Sequence, residues 1–195
     1  MPAGLEIKNN SGVEIIGPNA PNFAVIESGV SSVSVPTFNS LTEFVARRRV
    51  PSTSDYYWYK FGRATPSANF GLQLFDASGQ LQFCAATLVA RVVDVFEAPA
   101  WGQPSVTKFY PSGRDYAAQI HVCTFTEVQT RPAGPFQEYR IDVWRAQAMA
   151  DGNSVTAGWE STELQDWQPV PPGGAASFPA PSYIPYCIVL DVTGY

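Results

Sequence analysis

Residues 117–146 read AAQIHVCTFTEVQTRPAGPFQEYRIDVWRA, and this stretch contains two alternating runs separated by a turn. In the first run, Ile120, Val122, Thr124 and Thr126 alternate with His121, Cys123 and Phe125, and in the second run Tyr139, Ile141, Val143 and Arg145 share one face. A period of two residues is typical of β-strands, because successive side chains of a strand point to opposite faces. The intervening RPAGP has the proline and glycine that mark turns. The stretch therefore predicts two β-strands separated by a turn.

The same strand pattern recurs along the chain. Alternating, aromatic or β-branched runs occur in LEIKN, FAVIES, SVSVPTF, DYYWYKFG, TLVARVVDVFEA and YCIVLDVTGY. The last of these is apolar enough to be a central strand. Turn signals separate the runs at spacings that are typical of sandwiches and barrels. We therefore predict an all-β fold of mainly antiparallel β-sandwich or barrel-like units.

Helix signals are scarce. The segment SLTEFVARRRV, residues 40–50, could begin a helix with Ser40 as the N-cap and Glu43 three residues later. Its apolar residues also suit a strand, which is the interpretation we favour. A second segment, VWRAQAMADGNS, would form either a short helical turn or a hairpin that closes at Asp151-Gly152.

The chain of 195 residues is long enough for one ordinary domain with a sizeable core. We predict a single β-rich structural domain over residues 1–195, with the alternative of two small sub-units that break near residues 50–66. Residues 166–186, DWQPVPPGGAASFPAPSYIPY, are rich in proline, which removes sheet hydrogen-bond donors. They predict an extended arm or loop, after which the last strand returns to the sheet.

The charge balance argues against several classes of partner. The formal net charge is −5, whereas nucleic acid binding needs a basic face, so we expect no nucleic acid partner. The one basic run, Arg47, Arg48 and Arg49, predicts a solvated strand end or salt-bridge donors, with phosphate binding as the alternative. No run is long and apolar enough to predict a membrane span. The N-terminal MPAGLEIKNN lacks the features of a secretory signal, so we expect a chain that is made in a cytoplasm and is not exported by the general secretory route.

Residues that could carry out catalysis are few. The single histidine, His121, and the neighbouring Cys123 are too sparse for a zinc site or a catalytic dyad. The three cysteines, Cys84, Cys123 and Cys187, form no CxxC pair and are expected to be small buried side chains. The acids that a hydrolase could use lie in turns or strands without a signature: Asp55, Asp76, Asp94, Glu97, Asp115, Glu138 and Asp142. The strand acids among them, Asp94 and Asp142, are expected to face outward. We predict no enzymatic activity, no catalytic residue, no metal and no cofactor.

Aromatic side chains are the strongest candidates for binding. The strand DYYWYKFG places Tyr56, Trp58 and Lys60 on one face and Tyr57, Tyr59 and Phe61 on the other. We expect one face in the core and one in an interface. Trp159 and Trp167 flank the polar stretch WESTELQDW and are expected to anchor a loop, with a saccharide platform as the alternative. The candidate interface or ligand residues are therefore Tyr57, Trp58, Tyr59, Trp159 and Trp167.

Two related hairpins suggest a family. In GLQLFDASGQLQF, residues 71–83, and GLEIKNNSGVEII, residues 4–16, a glycine begins a strand and a Ser-Gly turn leads to a second apolar strand. The turn glycine supplies the positive φ that tight hairpins need. Together with TLVARVVDV after the second hairpin, this pattern resembles small tail proteins of tailed bacteriophages. Those proteins sit at or near the tail tip or baseplate, or connect to tail fibres.

The resemblance implies a non-catalytic virion structural protein, assembled in the bacterial host cytoplasm and located in the virion tail. Its expected partners are other phage tail proteins and further copies of itself in a symmetric oligomer, with a host surface receptor as an additional partner. The repeated hairpins would then be edges that a neighbouring sheet completes. One alternative is a carbohydrate-binding or host-receptor-binding module, which needs an exposed aromatic platform. A second alternative is a small hydrolase of a cell-surface polymer, which needs two converging carboxylates.

Overall fold

A computed structural model describes residues 7–8, 14–16, 23–31, 37, 39, 42–63, 73–75, 78–79, 81–84, 89–120, 124–170 and 184–195 of the chain. These residues form fourteen β-strands and no helix, which confirms the all-β prediction. The strands are β1 (Ile7–Lys8), β2 (Glu14–Ile16), β3 (Phe23–Ser31), β4 (Phe44–Arg49), β5 (Tyr56–Arg63), β6 (Gln73–Phe75), β7 (Leu81–Cys84), β8 (Arg91–Glu97), β9 (Val106–Phe109), β10 (Tyr116–Ile120), β11 (Thr124–Ala133), β12 (Phe136–Asp151), β13 (Ser154–Pro169) and β14 (Tyr186–Asp191).

Ten of these strands form one sheet that curls into a half-barrel. Seven follow one another in the order β8-β14-β10-β4-β12-β13-β9, while β11 pairs with β12, β5 with β4, and β3 with β5. The neighbours are antiparallel, apart from one parallel pair between Ala150 of β12 and Arg48 of β4. The structure thus confirms the predicted barrel-like architecture, and the path of seven strands ends at β8 and at β9.

The strands β10 and β14 lie at the centre of the molecule, because both of their faces are buried. One face packs into an inner core, whose members are Phe96, Ala98, Tyr116, Ala118, Ala148, Ala150, Val155, Ala157, Cys187 and Val189. The other face packs into a second core, whose members are Ala46, Tyr59, Phe61, Ala117, Leu190 and Val192. The prediction that the apolar run YCIVLDVTGY is a central strand is therefore confirmed, since β14 lies between β8 and β10.

Small and larger side chains alternate along β12. This alternation explains both the tight curl of the sheet and a cavity on its outer face. Its residues Ala146, Ala148 and Ala150 are buried, and these small side chains let the inner surface of a curled sheet close up. The alternate residues, Gln147 and Met149, lie on the outer face and are half-buried. The sequence RAQAMAD is therefore a strand with a small-residue inner face, although its alanines also suit a helix.

A two-residue turn joins the two longest strands. The strands β12 and β13 are 16 residues each, and Asp151 pairs directly with Ser154. Gly152 has a φ of 56°, and this positive φ at the first turn position is what a type II′ hairpin requires. Of the two predictions for this segment, the hairpin is confirmed and the helical turn is wrong.

The strands of both predicted hairpins pair with each other, and residues 9–13, the turn of the first hairpin, lie outside the described residues. β1 pairs with β2 and β6 pairs with β7, each as an antiparallel two-stranded sheet of its own. Gly79 in the second turn has the expected positive φ of 79°. Leu81 of β7 is buried against Ala24 of β3, so the second hairpin packs on the large sheet through side chains.

Two segments that were predicted as strands form strands, but each differs locally from its prediction. Residues 44–49 form β4 as favoured, and the turn before it is closed by two hydrogen bonds between Asn39 and Glu43, while Ser40 lies outside the described residues. In that turn the Asn39 N–H donates to Glu43 Oε2 at 2.8 Å, and the Glu43 N–H donates to Asn39 O at 2.7 Å. The long run 117–130 is divided between β10 and β11, and residues 121–123, with His121 and Cys123, lie outside the described residues.

The domain and arm predictions remain predictions. Residues 166–169 belong to β13, and residues 171–183 of the predicted arm lie outside the described residues. Around the predicted break near residues 50–66, β4 and β5 pair with each other along six residue pairs.

Candidate functional site

Three of the predicted site residues, Tyr57, Trp58 and Tyr59, line one cavity of about 420 Å³. They alternate along β5 as expected: Tyr59 is buried in the second core with Tyr57 packed against it, and Trp58 lies on the other face. The Trp58 ring lies directly on Gly29 of β3, where an added Cβ would come within 2.7 Å of ring carbon Cζ2. Glycine at position 29 is therefore what allows the indole to lie flat against the neighbouring strand.

The charges in this first cavity neutralise each other. Arg48 is ion-paired with Asp115, and its guanidinium carbon lies 4.9 Å from the centre of the Tyr57 ring. Burial raises the pKa of Tyr59, so this phenol stays protonated at neutral pH. The first cavity is consequently a structural junction between β3, β4, β5 and the C-terminal segment, and Arg48, the one cation in its described lining, is already paired.

Trp159 and Trp167 both lie within β13, so the polar stretch between them is part of a strand and does not form a loop. The reason is that β13 keeps pairing with β12 through and beyond the polar stretch between the two tryptophans. Trp159 Nε1 donates to Pro99 O at 2.9 Å, which ties β13 to the segment before β9. The Trp167 ring lies 4.1 Å from Arg131 Cζ and 5.5 Å from Arg140 Cζ, so two arginines occupy its surroundings.

A larger cavity, of about 700 Å³, lies on the outer face where β4, β12 and β13 come together. We call it the arginine cavity, and it is lined by Arg47, Arg49, Tyr56, Ser105, Arg145, Gln147, Met149, Asp151, Thr156, Gly158, Trp159 and Glu160. Of the predicted site residues, only Trp159 belongs to it. The loop before β9 reaches the cavity because Gly158 has no side chain, and a Cβ there would lie 2.9 Å from Ser105 Cβ.

Strand alternation divides the basic run between the two cavities. Arg48 points to the first cavity and pairs with Asp115, as the salt-bridge prediction requires. Arg47 and Arg49 point to the arginine cavity, where they meet Arg145 from β12. Arg145 is not among the candidate site residues predicted from the sequence. It lies about 100 positions after the basic run, and only the folded chain brings it beside Arg47 and Arg49.

The electrostatics of the arginine cavity centre on Arg47. Burial lowers the pKa of the Arg47 guanidinium, and like-charge repulsion from Arg145 lowers it further. Tyr56 and Glu160 act in the opposite direction and raise this pKa. Its guanidinium carbon lies 5.8 Å from the centre of the Tyr56 ring. The two carboxylates of the cavity already have polar neighbours. Gln147 Nε2 donates a hydrogen bond to Glu160 Oε2, and Arg49 lies 3.9 Å from Asp151.

Most of the candidate hydrolase acids are bound to neighbouring cations or hydroxyls. Asp115 is ion-paired with Arg48, Glu138 with Arg131, Asp142 with Arg140, Asp94 with Lys108, and Glu97 accepts a hydrogen bond from Tyr186. Asp55 lies in the turn before β5, and Asp76 lies outside the described residues. These contacts make the acids structural partners along the sheet.

The expectation that Asp94 and Asp142 face outward is wrong. Asp142 is buried because Arg140, two residues away on the same face, reaches its carboxylate at 2.9 Å. Asp94 points to the inner core side and accepts hydrogen bonds from Lys108 Nζ and Tyr110 OH, each at 2.9 Å. The hydrogen bond from Lys108 lowers the pKa of Asp94 despite its partial burial. These side-chain contacts link β8 to β9 and to the residue that follows it, at the two ends of the seven-strand path.

Cys187 is buried in the inner core, as expected for a small apolar side chain. Burial raises the pKa of its thiol to about 12. Among the described residues, no three His, Cys, Asp or Glu side chains are grouped to hold a metal ion. The same residues include no helix of the length and apolar character that a membrane crossing by a helix requires.

A second surface with binding character lies along β8, which we call the β8 surface. Its exposed apolar members are Val92, Val93, Val95, Ile184 and Tyr186. Val92 and Val95 pair with Leu190 and Ile188 of β14, so they lie on the face opposite the inner core. The second core covers the Leu190 end of this face and leaves the Tyr186 end exposed.

No protein-family model, no curated protein and no solved structure matches this chain.

Proposed function

We propose that the chain is a non-catalytic structural protein of a tailed bacteriophage virion. It would lie in the tail tip, baseplate or fibre-attachment region and bind neighbouring tail subunits, including copies of itself. The phage assignment is supported by the resemblance carried by the two hairpins, both of which form as antiparallel pairs. The subunit-binding role is supported by the β8 surface, and this is the observation on which the proposal depends.

The β8 surface combines apolar side chains with a sheet edge. Among the described residues, the β8 backbone pairs only with β14; β9 reaches β8 through the Lys108 side chain on Asp94 but makes no backbone pairing with it. Natural edge strands are usually protected by charge, proline or a bulge. Here Val92 and Val95 are 55% and 53% exposed, which is unusual for valines on an edge unless a partner covers them.

We propose a second copy of the chain as the partner at this edge. β8 begins with Arg91 and ends with Glu97, so an antiparallel pair of β8 strands brings each Arg91 beside Glu97 of the other copy. The same pairing is a two-fold contact, in which one surface patch meets itself. It would cover the valines and satisfy the edge hydrogen bonds of both copies at once.

The assembly proposal is tested by charge substitution on the β8 surface. The wild-type chain should sediment as a dimer at micromolar concentration, and the double variant Val92→Glu/Val95→Glu should sediment as a monomer, because four carboxylates would be buried in an apolar contact without partners. The matched control is Phe109→Glu/Phe136→Glu, which adds the same charge at exposed apolar positions elsewhere and should remain a dimer. A wild-type chain that stays monomeric at every concentration contradicts the proposal.

The virion location is tested by immunogold electron microscopy on particles of the phage whose genome carries this chain. An antibody to the purified chain should label the distal tail. Particles disrupted by mild denaturant serve as the control for epitopes that are buried in the intact tail. Absence of the chain from both intact and disrupted particles would exclude a virion role, whatever the sedimentation result.

A further inference from the structure

The arginine cavity contains positive charge that the described fold leaves without a close carboxylate. Among the described residues, no carboxylate oxygen lies within 4.0 Å of a guanidinium nitrogen of Arg47 or Arg145. Arg49 approaches Asp151 only at 3.9 Å, whereas Arg48 from the same run has a close partner in Asp115. These guanidiniums are gathered in one place on a chain whose net charge is −5. Asp151 and Glu160 in the same lining offset part of this charge, and the excess of arginines leaves room for a further anion.

We propose that the arginine cavity binds a saccharide that carries a carboxylate, such as a uronate unit of a cell-surface polysaccharide. Guanidinium groups hold a carboxylate through two parallel hydrogen bonds, and Arg47 and Arg145 are the residues to provide them. The cavity volume of about 700 Å³ lies within the usual range for small-molecule sites. The site is separate from the β8 surface, so the inference does not depend on the proposed assembly.

The other lining residues distinguish a sugar from a more highly charged anion. Asp151 and Glu160 lie beside the three arginines, so the described lining of the cavity has a net charge of one positive. That balance suits a single carboxylate and opposes phosphate, which carries more negative charge at neutral pH. Carboxylates also accept hydrogen bonds from sugar hydroxyls, and the Ser105 and Thr156 hydroxyls add further partners.

Aromatic and electrostatic features of the cavity support the same ligand. Tyr56 contributes a ring and a hydroxyl at the Arg47 side, a combination that suits the mixed apolar and polar surface of a sugar. The repulsion between Arg47 and Arg145 would be relieved by a carboxylate placed between them, whereas a neutral sugar would leave it unchanged. Binding should therefore depend on the charge of the ligand.

The test is a calorimetric titration of the purified full chain with trigalacturonate and with its methyl ester. The two ligands share every hydroxyl and differ in the carboxylate charge. We expect trigalacturonate to bind and the ester to bind at least about tenfold more weakly, since charge-assisted hydrogen bonds are lost. The double variant Arg47→Gln/Arg145→Gln should lose at least about tenfold in affinity for trigalacturonate for the same reason.

The matched control is the double variant Arg63→Gln/Arg131→Gln, which removes two exposed arginines outside the cavity and should keep wild-type affinity. Circular dichroism of both variants checks that they fold. Equal affinity for the acid and the ester would overturn the proposal, as would no binding of trigalacturonate, glucuronate or N-acetylneuraminate at millimolar concentration. Arginine-dependent binding of inorganic phosphate or an oligoglutamate peptide, without saccharide binding, would replace it with another anion site.

Discussion

Replacing Phe61 with alanine should lower the free energy of unfolding by about 4 kcal/mol. The Phe61 side chain is fully buried in the second core and stacks on the Phe44 ring with centroids 4.8 Å apart. Its removal loses the apolar transfer energy of the ring and leaves a cavity that β4 and β5 cannot close, because their backbones are fixed by cross-strand hydrogen bonds. Urea denaturation followed by tryptophan fluorescence would measure the loss.

The matched control for this substitution is Phe136→Ala. Phe136 lies at the tip of the β11–β12 hairpin with 73% of its surface exposed, so its removal should change the free energy of unfolding by less than about 0.5 kcal/mol. Both measurements should be made at one protein concentration, because association would add to the apparent stability. Equal losses for the two variants would mean that the second core does not carry the packing energy described here.

Removing both arginines that hold Asp191 should cost about 3 kcal/mol. The Asp191 carboxylate is 1% exposed and lies at the end of β14. Arg114 Nη1 donates to Asp191 Oδ2, Arg91 Nη2 lies 3.4 Å from Oδ1, and the Thr193 N–H donates to Oδ1 at 2.9 Å. In the double variant Arg91→Ala/Arg114→Ala, a buried charge keeps only the hydrogen bonds from Thr193 and loses both cations. Denaturant titration at pH 7 would measure the effect.

The comparison with Asp191→Asn separates charge burial from simple loss of contacts. In that variant the two arginines, whose side chains are 43% and 58% exposed, return to water at little cost. The neutral amide needs less compensation than the carboxylate, so the destabilisation should be smaller than in the double arginine variant. Burial alone would raise the pKa of Asp191, but the bonds from Thr193 and Arg114 lower it overall, so the carboxylate is charged at pH 7. The reverse order of the two losses would contradict this account.

The fold class follows from local patterns because alternation reports directly on strands. The run EYRIDVWRA, the aromatic strand Tyr56–Arg63 and the apolar β14 all form as their patterns predict. What alternation does not reveal is which strands become neighbours. Trp159 and Trp167 are placed in a strand because β12 offers a partner along its length, which a polar segment read alone does not indicate.

The candidate site was partly predictable for the same reason. The basic run at residues 47–49 was visible, and alternation alone predicts that Arg48 separates from its two neighbours. The participation of Arg145 depends on β12 lying beside β4, a contact between segments about 100 residues apart. The burial of Asp142 likewise depends on Arg140 and on the strands that flank β12 on either side.

The central position of β14 has a consequence for the order of folding. The β12–β13 hairpin needs only a two-residue turn, so its pairing is local and can form early. β14, in contrast, inserts between β8 and β10, two strands that lie far before it in the chain. Until β14 docks, β8 has no sheet neighbour among the described strands, and both cores lack the side chains that β14 contributes. The hairpin would therefore stand as a preformed template, and the docking of one short strand would complete the native state in a single cooperative step.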